Sequence, residues 1–381
     1  MHSADVIVIG GGLHGCSAAL HLARAGAQVI VLEKDHVGRH ASGVNAGGVR
    51  RLGRHLAEVA LSVASLELWQ RIGDLVGDSC GFEQAGQIKV AESEAELDGL
   101  RSRVNELQAL GFHHEELIGR DELRELLPAL APHCVGAIIC RADGAALPFR
   151  TTLAFKRTGE ALGVRFFEGT RADALAHAGG LWRVASDAGA FEAPALVNAA
   201  GAWAGRIAEQ LGEPVPMVAT GLMLAITAPV ASFVKPVVGA TGRPLSFKQY
   251  ANGTVMIGGG QRGRAELATN RTALDYAKLA SNAGTAMDLF PRLRGAEIVR
   301  AWAGIEGMMA DDIPVIGPSV TSEKLWHCFG FSGHGFQLGP VVGSIVADLV
   351  TTGTTRLPIE AFSIGRFREA AAPARAPMRR A

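Results

Sequence analysis

The chain has 381 residues, 48% of them hydrophobic, and 37 basic side chains balance 37 acidic ones. Such a length buries a substantial core in about two domains. The charge balance, with no basic stripe, excludes nucleic acid as an expected partner, and no stretch reaches the ~18 apolar residues of a membrane span.

Val6 to Ile9 form a short apolar strand, Gly10, Gly12 and Gly15 follow at Gly-x-Gly-x-x-Gly spacing, and a helix runs to about Ala25. A second apolar strand, Gln28 to Leu32, ends on Glu33. The first glycine permits a tight turn, the second lets backbone approach a pyrophosphate, and the third lets helix pack on strand. Glu33 lies where a ribose-binding acid belongs, ~20 residues beyond the start of the fingerprint. Together these features predict dinucleotide binding. The apolar run at Val6 is too short for a signal peptide.

A polar loop leads to Ser42-Gly-Val-Asn45-Ala46-Gly47-Gly48-Val-Arg50-Arg51, backbone suited to lie against a flat, polar-edged ring. His55 to Val76 reads as one amphipathic helix, Gly86 to Ala91 as a strand and Ser93 to Leu110 as a helix. A short helix from Arg120 stops at Pro128, Val135 to Cys140 is a strand, and Asp143-Gly144 is a turn before Pro148. A helix over Thr151 to Leu162 leads into Val164 to Glu168, a strand of a parallel layer.

Leu196 to Asn198 is a buried strand that breaks at Ala200, Gly201 and Trp203, where small residues permit close approach to a second part of a cofactor. Between Pro214 and Arg300 alternating runs at Gly221 to Thr227 and Thr254 to Gly258, with one helix over Thr272 to Leu289, predict an antiparallel layer. Trp326 to Gly330 is a strand, followed by Gly333-His334-Gly335-Phe336-Gln337 and a helix over Val341 to Val350. The five cysteines, Cys16, Cys80, Cys134, Cys140 and Cys328, form no paired framework and no metal-binding spacing. Buried reduced thiols in a cytosolic protein are the expectation.

Read together, the fingerprint, Ser42 to Gly48, Asp143-Gly144 with Pro148, Asn198 to Trp203, Arg300 to Glu306, Asp311 to Gly317 and Gly330 to Gly335 occur in the order seen in the D-amino-acid-oxidase-like flavoproteins. The resemblance spans about residues 4 to 352, and the version around Gly333 looks most like the beta-type flavin subunits of opine oxidases and hydroxyproline dehydrogenases. It implies an α/β fold: a discontinuous Rossmann-like FAD-binding domain (1–85, 145–215 and 322–362) and an antiparallel-sheet substrate domain (86–144 and 216–321). A basic Ala/Arg tail, 363–381, would remain, with Arg366, Arg368, Arg375, Arg379 and Arg380 outnumbering Glu369.

The resemblance further implies FAD in an extended pose. Its pyrophosphate would lie on Gly10, Gly12, Leu13, His14 and Gly15, its ribose by Glu33 and Lys34, and its adenine near Ala172 in a strand following Gly169-Thr170. Its ring would lie against Ser42, Asn45, Ala46, Gly47 and Gly48 on one side and Gly333, His334, Gly335, Phe336 and Gln337 on the other. A helix N-terminus after Gln337 would then stabilise negative charge on the reduced ring, an effect of ~0.3–2 kcal/mol.

Several positions depart from the pattern. Glu306 replaces the carboxylate-binding arginine of glycine oxidases, Gln337 replaces a lysine of monomeric sarcosine oxidase, and Asn45 and Gly304 stand where relatives link their flavin, so the FAD is expected to be non-covalent.

The implied chemistry is oxidation of the C–N bond of a secondary or cyclic amino acid or an opine-like amine to an imine, by hydride transfer to flavin N5. Stand-alone glycine, sarcosine or D-amino-acid oxidation with peroxide release, and a flavin subunit without its own substrate, are the alternatives. Arg50 and Arg51 are candidate substrate cations, with a surface salt bridge as the alternative role for each. Gln249 and Tyr250 are candidates for the pocket wall or for packing, Glu306 for a basic group on the substrate or a structural arginine, and His334 for a flavin-edge donor or a general base. The resemblance to beta-type flavin subunits implies an iron–sulfur or second flavin subunit as partner, while this chain's own cysteines have no cluster-binding spacing.

Overall fold

The structure, a computed structural model, describes residues 1–370. Its centre is a six-stranded sheet in the order Val315–Pro318, Leu325–Phe329, Ala195–Asn198, Val6–Ile9, Val29–Leu32, Arg165–Phe167. All pairings are parallel except that of the edge strand Val315–Pro318. The central strands read as unbroken apolar runs because both faces are covered. Alternation divides their side chains: Val6, Val8, Val29 and Val31 face the helices, while Ile7, Ile9, Ile30 and Leu32 pack against Trp182, Val184 and Phe191. Those three belong to a small sheet of His2–Ser3, Gly189–Ala193, Leu181–Ser186 and Ala174–Ala178. Ala172 therefore precedes the strand that begins at Ala174 and sits in a loop, not in the strand itself.

On the helical face, Leu13–Arg24 lies directly against Gly335–Thr352. Two glycines permit this: a Cβ on Gly339 would meet Leu13 at 2.4 Å, and one on Gly343 would meet Ser17 Oγ at 2.1 Å. The C-terminal helix thus begins at Gly335, six residues before its expected start, and carries Pro340 inside.

Gly48–Val49 pairs antiparallel with Gly144–Ala145 in a separate two-stranded sheet, and a second large sheet has ten strands. Its spine is the antiparallel pair Met217–Thr227 and Ile298–Met309. It is mixed rather than purely antiparallel, because Val237–Ala240 pairs parallel with Gln87–Ala91. Trp302 Nε1 donates to Val44 O at 2.8 Å, which ties the spine to the loop at Ser42 to Gly48.

Other boundaries differ from sequence expectation for local reasons. The helix expected over His55 to Val76 breaks at Arg71 into Leu56–Gln70 and Ile72–Val76, and the second piece buries Ile72, Leu75 and Val76. Pro148 opens its helix at the first turn, where the missing N–H costs nothing. Asp275 caps Tyr276–Leu289 by accepting from Lys278 N, and Arg271–Ala273 before it is a strand. All five cysteines are buried and unpaired. Near the C-terminus Phe362 and Ile364 are buried and Arg366 Nε donates to Asp311 at 2.9 Å, so the chain is packed through Arg366. Arg375, Arg379 and Arg380 lie outside the described residues.

Candidate active site

One cavity of about 850 Å³ runs from the end of the six-stranded sheet to the face of the larger sheet. Its first arm is the glycine turn. Gly10 has φ +111°, and a Cβ there would meet Ala199 O at 2.4 Å; one on Gly15 would meet Gly10 O at 1.9 Å. Gly15 accordingly stays behind the turn, while Gly10, Gly12, Leu13 and His14 line the cavity. The N-terminus of the first helix has no side-chain cap of its own, and Ser42 Oγ accepts from Leu13 N at 2.9 Å. Among the described residues the amides of Gly12 and His14 have no partner, an anion cradle of the kind a pyrophosphate occupies.

Glu33 ends the second strand and lines the same arm. Its oxygens accept from Gly11 N at 2.7 Å and Asp35 N at 2.8 Å, yet burial pushes its pKa above the usual carboxylate range. Lys34 bonds Asp35 and Asn270, and its Nζ lies 4.0 Å over the Trp203 ring. Ala172, Ala200, Gly201 and Trp203 complete this arm.

The middle of the cavity passes between two backbone walls. Ser42, Asn45, Ala46, Gly47 and Gly48 form one, and Gly333, His334, Gly335 and Phe336 the other. Asn45 shapes its own loop: its amide donates to Ala41 O and Ser42 O and accepts from Gly47 N at 2.7 Å. Lys248 lies behind Gly47 and over the Tyr250 ring, and burial lowers its pKa to about 8.

The far arm is lined by Arg50, Arg54, Gln87 and Lys89, with Glu306 also on the cavity wall. Arg50 spends one nitrogen on Leu52 O. Arg54, 1% exposed, bonds Arg50 O and Gln337 but leaves Nη1 without a hydrogen bond. Lys89 has no hydrogen bond or ion pair among the described residues, and burial, then Arg50, lowers its pKa. Glu306 accepts from Gly333 N at 2.9 Å, and burial raises its pKa to about 7.

Several expected site residues stand apart from the cavity. Arg51 turns to the other side, where its N–H and Nε donate to the fully buried Asp143. Gln249 clamps a turn, donating to Val230 O and Gly253 O and accepting from Phe233 N, and the Tyr250 hydroxyl reaches Met256 Sδ. Gln337 is fully buried and donates to Ser62 O at 2.8 Å. Being the third residue of the helix, it points into the protein, so the helix N-terminus facing the cavity is at His334 and Gly335.

Sequence reasoning misses Arg54, Lys89, Gln87 and Glu58. Gln87 and Lys89 carry the one available signal, two polar residues at a spacing of two in an otherwise apolar strand. Arg54 and Glu58 follow the turn at Arg51 and Leu52 that Asp143 holds, a tertiary contact with no signal in the local sequence.

The chain that builds this cavity resembles known proteins over nearly its whole length. The chain is 28% identical to one of the subunits of opine oxidase from Rhizobium meliloti, over 96% of this chain and 98% of that one. It is also 28% identical to glycine oxidase of Bacillus licheniformis, covering 95% and 97%. The solved L-proline dehydrogenase from P. horikoshii superposes with a TM-score of 0.90 at 27% identity, covering 97% and 99%. The family description "FAD dependent oxidoreductase" (DAO) matches residues 5–349, and the chain belongs to that family of FAD-dependent amine and amino-acid oxidoreductases.

Proposed function

We propose that this protein oxidises the C–N bond of an opine-like secondary amino acid, one that carries two carboxylates, to the imine. The observation that carries this reading is the charge of the far arm. Arg50, Arg54 and Lys89 line one chamber, and among the described residues Glu58 is the one carboxylate beside them not already engaged elsewhere. Asp143 is spent on Arg51 and Leu52, and Glu115 on Arg103 and Gly53. Three cations in one enclosed chamber outnumber the single carboxylate that faces them, so a ligand bearing more than one negative charge fits here. Glu306, where a carboxylate-binding arginine stands in glycine oxidases, would instead meet the substrate's ammonium.

FAD, when bound, supplies the two-electron acceptor; the chain's part is to hold the α-carbon against it and exclude water. Gly10, Gly12, Leu13 and His14 would hold the pyrophosphate, Glu33 the ribose, and the walls at Asn45 to Gly48 and Gly333 to Phe336 the ring. Neither Asn45 nor Gly304 offers a nucleophile, which supports non-covalent FAD. A cyclic amino acid is the second reading, favoured by the likeness to an L-proline dehydrogenase and by the apolar wall of Leu222, Leu224 and Leu245. The match to one subunit of an opine oxidase supports work within a hetero-oligomer beside an electron-accepting partner.

The test is an anaerobic panel of iminodiacetate, sarcosine, proline, hydroxyproline and glycine added to FAD-loaded protein. Fastest flavin bleaching by iminodiacetate supports the dicarboxylate reading, and fastest bleaching by proline supports the cyclic one. No bleaching by any amine contradicts both.

A further inference from the structure

We infer that His334 accepts the proton of the substrate ammonium through Nε2, and that Glu58 is the residue that positions it. This rests on the amine-oxidation reading of the same cavity. His334 caps the C-terminal helix and lines the cavity, with its side chain 25% exposed. Its Nδ1 is enclosed by protein, 3.4 Å from Glu58 Oε2. That separation is a contact between facing groups rather than a well-aligned hydrogen bond, and catalytic contacts of this length tighten when a ligand closes the site.

Glu58 is fully buried and has no hydrogen-bond donor among the described residues. The two groups beside it are His334 and Arg54 Nη1, the latter 4.0 Å from the same oxygen. A buried carboxylate without a donor is strongly disfavoured unless a cation or an imidazole N–H faces it. Placing the ring proton on Nδ1, toward Glu58, leaves the Nε2 lone pair on the ring edge that borders the cavity.

Every charged group around His334 has a definite effect. Burial holds its pKa below the usual imidazole range, Arg50 and Arg54 push in the same direction, and Glu58 opposes them. His14, from the first helix, reaches the same turn beside Gly335, and burial lowers its pKa to about 3, so it stays neutral. Glu306 approaches from the long strand but is bonded to the Gly333 amide. Glu58 itself is held below the usual carboxylate range, with His334 and Arg54 overcoming its burial. The resting pair is therefore a neutral ring facing a carboxylate.

The step balances simply. An N–H bond of the ammonium breaks, its electron pair stays on nitrogen, and the proton bonds to Nε2. The imidazolium is stabilised by Glu58 at Nδ1, and the freed lone pair assists formation of C=N when the α-hydrogen leaves. Glu306 has no comparable carboxylate or basic side chain behind it among the described residues, and burial raises its pKa to about 7, so it serves as counter-ion to the amine only in its ionised form, above that pH.

The experiment measures anaerobic flavin reduction against pH for wild type, His334→Gln and Glu58→Gln, using the fastest amine among iminodiacetate, sarcosine and proline. His334→Gln is expected to slow reduction ~10²–10⁴-fold near neutral pH. That deficit should shrink as pH rises and the amine arrives already deprotonated. Glu58→Gln should move the acid limb of the rate profile to lower pH, and an NMR titration of His334 in the protein without substrate should move the same way. A deficit independent of pH, or wild-type rates in His334→Gln, overturns the inference while the amine-oxidation reading stands. An unmoved acid limb in Glu58→Gln removes the positioning role. Should Glu58→Gln fail to fold, the pH dependence of the His334→Gln deficit decides alone. Failure of wild type to be reduced contradicts the underlying reading instead.

Discussion

At the scale of residues, charge in an enclosed chamber decides more than sequence motif. Arg50 and Arg51 are adjacent and alike in sequence, yet Asp143 captures the backbone and guanidinium of Arg51 and so sends Arg50 alone into the cavity. Replacing Lys89 or Arg50 by Met should weaken substrate binding by ~1.5–3 kcal/mol each, the scale of a charge-assisted hydrogen bond. The same change at Arg51 should leave the dissociation constant of substrate in place; anaerobic titration of flavin spectral change measures all three. Glu306 gives a stability test that needs no substrate. Its folded pKa, about 7, lies above the unfolded value, so the folded state holds an extra proton between the two and loses that advantage as pH rises through about 7. Glu306→Gln should therefore raise the melting temperature of FAD-free protein at alkaline pH, with the gain vanishing near pH ~4. An equal shift at both pH values would show that Glu306 is not held protonated by its surroundings.

Elements divide into those whose sequence carries their reason and those placed by others. The strand at Val6, its glycine turn and Glu33 are legible because each step has a local cause: an apolar run covered on both faces, a φ of +111° at Gly10, and an acid at the strand end. Gly12→Val would bring a side chain against Ser42 Oγ, which an added Cβ would meet at 2.9 Å, and should abolish FAD binding. Retention of stoichiometric FAD in that variant contradicts the cradle. The C-terminal helix is expected too late in the sequence because Pro340 looks like a start. Its true start at Gly335 is set by packing on Leu13 and Ser17 through Gly339 and Gly343. Gly343→Val should destabilise the protein by ~1–3 kcal/mol or more, the scale of overpacking, as read by urea unfolding. Gln249 and Gln337 mislead for a related reason: a glutamine near a motif carries no signal of which way its amide points, and both satisfy backbone groups away from the cavity.

For the whole molecule, two sheets and the cavity between them make one device. The six-stranded sheet delivers the glycine turn and Glu33, the larger sheet delivers Lys89 and Glu306, and Trp302 fastens the second to the loop of the first at Val44. A hetero-oligomeric role predicts that the isolated chain, once reduced by substrate, reoxidises slowly in air, and rapid peroxide release at full turnover would contradict it. The central claim, that this cavity removes the hydrogen beside an amine nitrogen, is tested most directly by anaerobic rapid mixing of FAD-loaded protein with iminodiacetate, protiated or deuterated at its methylene carbons. The expected result is saturable flavin bleaching that is slower with the deuterated compound. Bound FAD that stays oxidised in its presence, or bleaches at a rate indifferent to deuterium and to the Lys89→Met substitution, would contradict the account.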